Sequence, residues 1–161
     1  MKGDEKVIEF LNQALTNELT AINQYWLHYR VLDNWGVARL AEKEREESID
    51  EMKHADSLAD RVLFLDGLPN FQAINRLKVG ETVEEILKAD LALEMEAIPL
   101  LRDAIEYCES VRDYVSRELF EDILESEEEH VDFLEKQFDL IERMGLQNYV
   151  QLQSKPADDE E

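Results

Sequence analysis

The sequence predicts an all-α protein: a bundle of four long helices with a long connection between the second and the third, followed by a short fifth helix. Three observations favour this fold class. Apolar residues recur every three or four positions over most of the 161 residues. Only five Gly and three Pro interrupt the chain. The three segments that separate the four long periodic stretches are short, long and short, in chain order. The chain has a single cysteine, which excludes a disulfide framework within it.

The first two helices are predicted to form a hairpin. The first begins after Asp4 and ends before a turn at residues 33–36, and the second covers about residues 37–65. Its end is predicted at Asp66-Gly67-Leu68-Pro69, because Gly and Pro both disfavour continuation of a helix. Residues 66–81 contain two Gly and one Pro, which predicts a long connection. The apolar stripe of the first helix is formed by Val7, Leu11, Ala14, Glu18, Ala21, Tyr25, His28 and Leu32.

Two more long helices follow this connection. Thr82 and Glu85 have the spacing of a capping box, which predicts that a third helix begins here and continues to about Cys108. A break at residues 110–113 separates it from a fourth helix that ends near Arg143.

A short fifth helix near residues 146–153 completes the predicted domain, which spans residues 1–155. Residues 156–161 form an acidic tail that we expect to be disordered, because it has nothing to bury. The short connections make helices one and two, and helices three and four, antiparallel neighbours, whereas the long connection can cross the length of the bundle. This arrangement is the ferritin-like topology of four-helix bundles.

The chain is strongly acidic, with 17 basic and 39 acidic residues and a formal net charge of −22. This charge argues against nucleic acid and anionic membranes as partners, because both are bound by basic patches. The hydrophobic fraction of 44% is typical of a globular protein, so the acidity does not indicate disorder. The sequence has neither a secretory signal pattern nor an apolar run long enough to span a membrane, and we expect a cytoplasmic protein.

Two of the three histidines follow a glutamate by three positions, as Glu51–His54 and Glu127–His130. This spacing puts a carboxylate and an imidazole on one face of a helix, where they can share a metal ion. In di-metal bundles, each of the other two helices supplies one more Glu at the same level. The alternative is that these residues are acids on solvated helix faces.

The turns of the two hairpins predict where the additional Glu residues stand. In an antiparallel hairpin, residues at equal distances along the chain from the centre of the turn lie at the same level. The residue that matches Glu51 across the first turn is Glu18, and the residue that matches Glu127 across the second turn is Glu94. The two resulting triplets are separated by 76 residues at every position, which predicts approximate two-fold symmetry. Oxygen and nitrogen ligands without thiolate favour iron or manganese, and zinc can also bind. The predicted di-metal centre therefore consists of Glu18, Glu51, His54, Glu94, Glu127 and His130.

Two further polar residues lie on the apolar stripe of the first helix. Tyr25 is two helical turns from Glu18 on the same face. It is predicted either to hydrogen-bond a metal ligand or supply an electron, or to be a core residue with a satisfied hydroxyl. His28 has Tyr25 rather than a Glu three positions before it, and we interpret it as structural.

Met52 is predicted to point out of the bundle, since it lies about 160° around the helix from His54. Together with Ile49, Ala55 and a second apolar stripe on the first helix, it predicts a subunit interface. On a two-fold axis the same Met arrives from both subunits, so two thioethers could ligate a haem iron. Ordinary packing of Met52 at a dimer interface is the alternative.

Several longer runs of sequence surround these residues. The most specific is Glu47-Ser48-Ile49-Asp50-Glu51-Met52-Lys53-His54-Ala55-Asp56. The others are Met1-Lys2-Gly3-Asp4, Asn17-Glu18-Leu19, Ala21-Ile22-Asn23-Gln24-Tyr25, Leu63-Phe64-Leu65, Gly67-Leu68-Pro69-Asn70 and Glu125-Ser126-Glu127-Glu128-Glu129-His130. In these runs, and over nearly its full length, the chain resembles the bacterioferritin family.

The resemblance implies a hollow, octahedral 24-subunit shell that oxidises Fe²⁺ and stores an Fe³⁺ mineral, with two irons at a centre in each subunit. By that resemblance Glu51 and Glu127 bridge the irons, and Glu18 and Glu94 are terminal carboxylates. His54 and His130 then bind one iron each.

The resemblance also implies that Met52 is the axial ligand of a haem b shared between two subunits. In the family this haem passes electrons inward from a small ferredoxin when iron is released. Some members have a His at the position of Glu46, where it forms an inner-surface iron site with Asp50. Glu46, Glu47 and Asp50 are therefore the predicted inner-surface iron ligands. Phe133 replaces a Trp found in some members, which argues against a radical route through this ring.

Two other functions compete with iron storage. The first is a di-iron oxygenase or peroxidase acting on small molecules, which requires an open substrate pocket beside the metals and a dimer rather than a shell. The second is an acidic helical interaction module without metal chemistry, whose six predicted ligands would tolerate replacement by Ala.

Overall fold

The computed structural model describes residues 1–156, and within that range it contains five helices and no strand. The helices are α1 (Glu5–Asn34), α2 (Ala38–Phe64), α3 (Val83–Ser110), α4 (Tyr114–Met144) and α5 (Leu146–Leu152). The predicted all-α fold class is confirmed, and the helix ends lie within about two residues of their predicted positions. The expected acidic tail falls, from residue 157 onward, outside the described residues.

Side-chain caps explain where three of the helices begin. Asp4, Thr82 and Asp113 each accept hydrogen bonds from backbone N–H groups of the first helical turn, which have no partner within the helix. The predicted capping box at Thr82 is only half formed. The Glu85 carboxylate accepts a hydrogen bond from the N–H of Glu81, one residue before the one that a capping box requires.

The four long helices pack as two hairpins, α1 with α2 and α3 with α4. One apolar cluster, which includes Leu11 and Phe120, unites the start of α1, the ends of α2 and α3 and the start of α4. A second cluster, which includes Leu40 and Leu134, fills the other end of the bundle. Helices α2 and α3 therefore run in the same direction, as the ferritin-like topology requires. The buried glutamates and histidines lie between the two clusters.

The crossover between α2 and α3 lies along α1 and is bound to it through its backbone. Four polar side chains, spaced along one face of α1, accept hydrogen bonds from backbone N–H groups of the crossover. These bonds run from Asn70 to Asn12 (2.9 Å), from Asn75 to Thr20 (2.9 Å), from Lys78 to Gln24 (2.9 Å) and from Gly80 to His28 (3.1 Å). At Gly80 the crossover also lies very close to the first turn of α3. A Cβ on Gly80 would lie 2.3 Å from the backbone nitrogen of Ile86.

Helix α5 closes one end of the bundle. Tyr149 is fully buried, and its hydroxyl donates a hydrogen bond of 2.8 Å to the Gln137 side chain of α4. The backbone N–H of Arg39 donates to the carbonyl of Gln153 at 2.8 Å, which ties the end of α5 to the first turn of α2. Among the described residues, no helix has the length and apolar character needed to cross a membrane.

Candidate metal centre

The structure brings all six predicted ligands together at the middle of the bundle. Helices α1 and α3 supply one Glu each, and α2 and α4 supply one Glu-x-x-His pair each. Helix geometry explains the pairs, since residues three apart lie on one face. The four glutamates and one histidine are nearly inaccessible to solvent, at 4% for Glu18, 1% for Glu51, 1% for Glu94, 2% for Glu127 and 3% for His130. His54 is partly exposed.

Three of the carboxylates surround His54. Its Nδ1 atom lies 3.4 Å from Glu51, 3.6 Å from Glu18 and 3.6 Å from Glu127. One ligand atom from each of these four residues falls within 4.8 Å of the others. A single metal ion can therefore be held by atoms of three different helices.

The second group is arranged around His130. Its Nδ1 atom lies 3.0 Å from Oε1 of Glu94, and the Tyr25 hydroxyl donates a hydrogen bond to the same oxygen. The Tyr25 ring packs edge-on against the His130 ring, with centroids 5.2 Å apart. Tyr25 is therefore in direct contact with a predicted ligand, which favours the first of its two predicted roles.

Glu127 connects the two groups. Its Oε1 atom lies 3.6 Å from Nδ1 of His54, and its charge raises the pKa of Glu94. The carboxylates of the two groups thus form one continuous polar centre rather than two separate sites.

Burial changes the acid–base behaviour of this centre. It raises the pKa of Glu18, Glu94 and Glu127, and the charge of Glu127 raises that of Glu94 further. Burial alone lowers the pKa of His54, but the carboxylates of Glu127 and Glu18, each 3.6 Å from its Nδ1 atom, outweigh burial and raise this pKa to about 10. Crowded carboxylates repel one another, and in the absence of another cation the centre retains protons to limit that repulsion.

The donor set fits divalent metal ions. Three carboxylate oxygens of the centre (Glu18 Oε2, Glu94 Oε2 and Glu127 Oε1) are buried without a hydrogen-bond partner. A buried oxygen left without a partner is costly unless a proton or a cation satisfies it. Four carboxylates and two imidazoles supply oxygen and nitrogen donors suited to iron or manganese, and their four negative charges balance two divalent ions.

Comparison with known proteins agrees with this geometry. A family model for the ferritin-like domain matches residues 8–144. The bacterioferritin of Brucella melitensis is 52% identical over 161 residues, covering 100% of both chains. The chain belongs to the bacterioferritin family. The bacterioferritin of Rhodobacter capsulatus is 52% identical over 158 residues, covering 98% of each chain. That of Streptomyces coelicolor is 51% identical over 150 residues, covering 93% of this chain and 90% of the relative.

Met52 is exposed at the surface of the bundle. It is 42% exposed on α2, next in sequence to the buried, predicted ligand Glu51. Trp26 of α1 is 38% exposed and contacts Arg45 of α2. The Met52 thioether is therefore accessible to a partner or a prosthetic group.

The three acids proposed for the inner surface of a bacterioferritin shell do not share one environment. Glu46 is exposed, and Asp50 is partly exposed, with its carboxylate 3.8 Å from Lys53. Glu47 differs from the expected surface position: it is only 7% exposed, and Oε2 lies 3.7 Å from Nδ1 of His130. The reason is helical rotation, because Glu47 stands one turn before Glu51 on the same buried face.

Sequence reasoning missed a second buried polar cluster, formed by His28, Glu44 and Asp90. The Gly80 N–H donates to Nε2 of His28, so Nδ1 carries the ring proton and donates to Asp90 at 2.8 Å. Both ring nitrogens are therefore occupied, and the structural interpretation of His28 is confirmed. Burial, followed by the charge of Asp90, raises the pKa of Glu44 well above its ordinary value.

A pattern in the sequence could have revealed Glu44 and Asp90. Glu44 lies seven positions before Glu51, and Asp90 lies four positions before Glu94. Both spacings return to the ligand-bearing face of the helix.

Proposed function

We propose that the chain is the subunit of an iron-storage protein and that its buried centre is a ferroxidase site, which oxidises Fe²⁺ to Fe³⁺. The observation that carries the proposal is the set of four buried glutamates and two histidines from four helices. Three of their oxygens lack any hydrogen-bond partner. Membership of the bacterioferritin family supports the same conclusion.

We assign different roles to the six ligands. Glu51 and Glu127, which precede the histidines by three positions, would bridge two iron ions, as the family resemblance implies. Glu18 lies beside His54, and Glu94 lies beside His130, so each is the terminal carboxylate for one ion. His54 and His130 each supply one nitrogen.

The chemistry is a two-electron transfer between substrates. Two Fe²⁺ ions give up one electron each, and O₂ accepts both electrons with two protons to leave H₂O₂. Alternatively, H₂O₂ accepts two electrons and two protons to leave water. The protein's contribution is to hold both ions within one buried carboxylate set and to accept or release protons at that set.

Tyr25 is proposed as a supporting residue of the centre. Burial, and then the charges of Glu94 and Asp90, raise its pKa well above 10.0, so its hydroxyl remains a donor at neutral pH. It orients Glu94 and is close enough to supply an electron to an oxidised centre. Its proton would pass to the Glu94 oxygen that it already contacts.

Met52 is proposed as the axial ligand of a haem b, one from each subunit of a two-fold pair. Haem bound there would carry electrons inward from a small ferredoxin to reduce and release stored iron. The exposed position of Met52 supports this assignment, because a single subunit leaves its thioether without a covering layer.

Closed 24-subunit shells built from two-fold dimers would place iron mineral inside, and we expect them in the cytoplasm. Glu46, Glu47 and Asp50 remain the proposed ligands for iron on its way to the inner surface. Acidic residues that line a cavity raise the local concentration of cations. The protein is not expected to bind nucleic acid or membranes.

The alternative function, a di-iron oxygenase or peroxidase for small molecules, is less well supported. The cleft that reaches the carboxylates is lined by Asn17, Ala21, Leu93 and Ala97 in addition to the ligands. Its cavity volume is about 10 Å³, which is room for about one water molecule. Typical small-molecule sites measure roughly 300–1,000 Å³. The cleft therefore suits O₂, H₂O₂ and metal ions better than an organic substrate.

Stopped-flow oxidation of Fe²⁺ by O₂ tests the catalytic assignment. Glu127→Ala is compared with Glu129→Ala, which removes the same charge from the same helix at an exposed position. We expect the rapid phase to slow by at least about 10-fold in Glu127→Ala, Glu18→Ala and His130→Ala and to be unchanged in Glu129→Ala. Rapid oxidation that persists in all three ligand variants would contradict the proposal.

Gel filtration with simultaneous detection of iron and haem absorbance tests the assembly. A shell should elute far ahead of a dimer and carry both signals. Met52→Leu should remove the haem signal and leave the iron signal and the elution volume unchanged. Haem that persists in Met52→Leu would exclude this residue as its ligand, and elution as a dimer without iron would favour the other functions.

A further inference from the structure

A lysine, a glutamate and an aromatic ring stand beside His130, outside the six-ligand set. The Lys43 ammonium group lies 2.9 Å from Oε1 of Glu47. It also lies 4.6 Å from the centre of the Phe133 ring. That ring stacks on the His130 imidazole, with centroids 6.3 Å apart and an angle of 20° between the planes. These contacts define the Lys43 cluster: Lys43, Glu47 and Phe133.

Glu47 has two possible partners in this arrangement. One of its oxygens faces the ammonium group of Lys43, and the other lies 3.7 Å from Nδ1 of His130. The same nitrogen faces Glu94 at 3.0 Å. Glu47 is thus a third acidic group at the His130 end of the centre, and its charge is already partly neutralised by Lys43.

Burial makes this ion pair stronger than an ordinary surface pair. The Glu47 side chain is 9% exposed and that of Lys43 is 33% exposed. Water therefore screens Glu47 poorly, and a cation near it gains more than it would at a solvated carboxylate. The Lys43 ammonium group also lies over the face of the Phe133 ring, and this cation–π contact restricts its position.

The His54 end and the His130 end of the centre differ in whether a basic side chain pairs with a nearby carboxylate. His54 faces Glu18, Glu51 and Glu127. Within residues 1–156, no Lys or Arg forms an ion pair with any of those three carboxylates, whereas Lys43 does so with Glu47. The approximate two-fold symmetry of the six ligands is therefore broken by a single positive charge.

We infer that Lys43 competes with a metal ion at His130 for the carboxylate of Glu47, so that the His130 position holds its ion less tightly than the His54 position. Lys43 is then a positioning residue, which acts on the metal through Glu47. This inference rests on the proposed function.

Replacing Lys43 should make the His130 position bind metal more tightly. Lys43→Met keeps an unbranched apolar side chain beside Phe133 but removes the charge, and it leaves Glu47 free to turn to the metal. We expect the affinity of the more weakly held Co²⁺ ion to rise by about five-fold, with slower dissociation, since contacting charged groups typically couple at this level. Lys43→Arg keeps a charge and should retain most of the original affinity.

The experiment measures Co²⁺ binding to the assembled full-length protein by titration, and Co²⁺ release into an excess of chelator. Crystals prepared with limiting Co²⁺ identify which position fills first. The matched control is Lys88→Met, which removes one positive charge from an exposed i,i+4 pair with Glu84. Lys43→Gln is measured as well, so that a packing defect of one variant does not decide the result.

A double-mutant cycle with Glu47→Gln separates this mechanism from a general charge effect. If Lys43 acts through Glu47, Lys43→Met has little effect in the Glu47→Gln background. An equal gain in both backgrounds, or the same gain in Lys88→Met, would overturn the role of Lys43. Binding of two Co²⁺ ions per wild-type subunit preserves the proposed function even then, whereas failure to bind two ions overturns both proposals.

Discussion

The Tyr25 hydroxyl donates a hydrogen bond to the Glu94 carboxylate. The accepting oxygen is the one that lies 3.0 Å from Nδ1 of His130. A phenol on α1 thus orients a ligand on α3 towards an imidazole on α4. The contact joins the apolar stripe of the first helix directly to the second half of the metal centre.

Removing this hydroxyl should weaken the metal-free protein. In Tyr25→Phe, a buried Glu94 oxygen loses one of its two hydrogen-bonding partners and keeps His130, and we expect stability to fall by about 1–3 kcal/mol. Thermal unfolding in the presence of a chelator measures this change. Tyr29→Phe is the control, because the Tyr29 hydroxyl is engaged by Arg30 at an exposed contact and should matter little. Equal stability of the two variants would show that the Tyr25 hydroxyl does not support Glu94.

The pH dependence of stability should differ between metal-free and metal-loaded protein. The pKa of Glu18, Glu94 and Glu127 is raised above 4.5 in the folded state. Folded protein therefore binds more protons than unfolded protein above that pH. The contribution of these three carboxyl groups to stability is complete below pH 4.5 and is lost as the pH rises through their pKa values in the folded state.

His54 acts in the same direction, because its pKa rises from 6.5 to about 10. Its contribution is complete below pH 6.5 and declines as the pH approaches 10. Metal-free protein should thus become less stable from mildly acidic to alkaline pH. Bound metal should reduce or reverse this trend, because the ligands are then already deprotonated. Thermal unfolding across this pH range checks both curves, and a metal-free protein that becomes more stable with rising pH would contradict the assignment.

The close approach at Gly80 gives a steric prediction. A Cβ there would meet the backbone of Ile86 at the start of α3, which cannot move as a flexible side chain can. Gly80→Ala should therefore shift the crossover, break the hydrogen bond to His28 and cost roughly 1–3 kcal/mol. Thermal unfolding measures the loss. Glu81→Ala, an exposed neighbour that keeps the same backbone bonds, is the control and should be nearly neutral; equal losses would contradict the steric argument.

Regular geometry explains how much could be predicted from the sequence. Helical periodicity located the five helices, and reflection through the two turns paired Glu18 with Glu51 and Glu94 with Glu127. These inferences need only a constant helical repeat and short antiparallel connections. The lengths of the connections predict the ferritin-like fold, the family resemblance implies the iron chemistry, and the comparisons confirm the family.

Contacts between elements distant in sequence could not be predicted in the same way. The bond from Gly80 to His28 depends on the path of a crossover that has no periodic pattern. The pairing of Lys43 with Glu47 looks in sequence like an ordinary surface pair four residues apart. Only the packing of α4 against α2, which brings His130 and Phe133 alongside, shows that this pair borders the metal centre.

Anaerobic titration of the metal-free protein with Fe²⁺ tests the central claim most directly. We expect two tightly bound Fe²⁺ ions per wild-type subunit and the same number in Glu129→Ala. Glu127→Ala should lose tight binding, because the Glu127 carboxylate is proposed to contact both ions. Tight binding of two ions that survives in Glu127→Ala, or the absence of tight binding in the wild-type protein, would contradict a di-iron centre at these six residues.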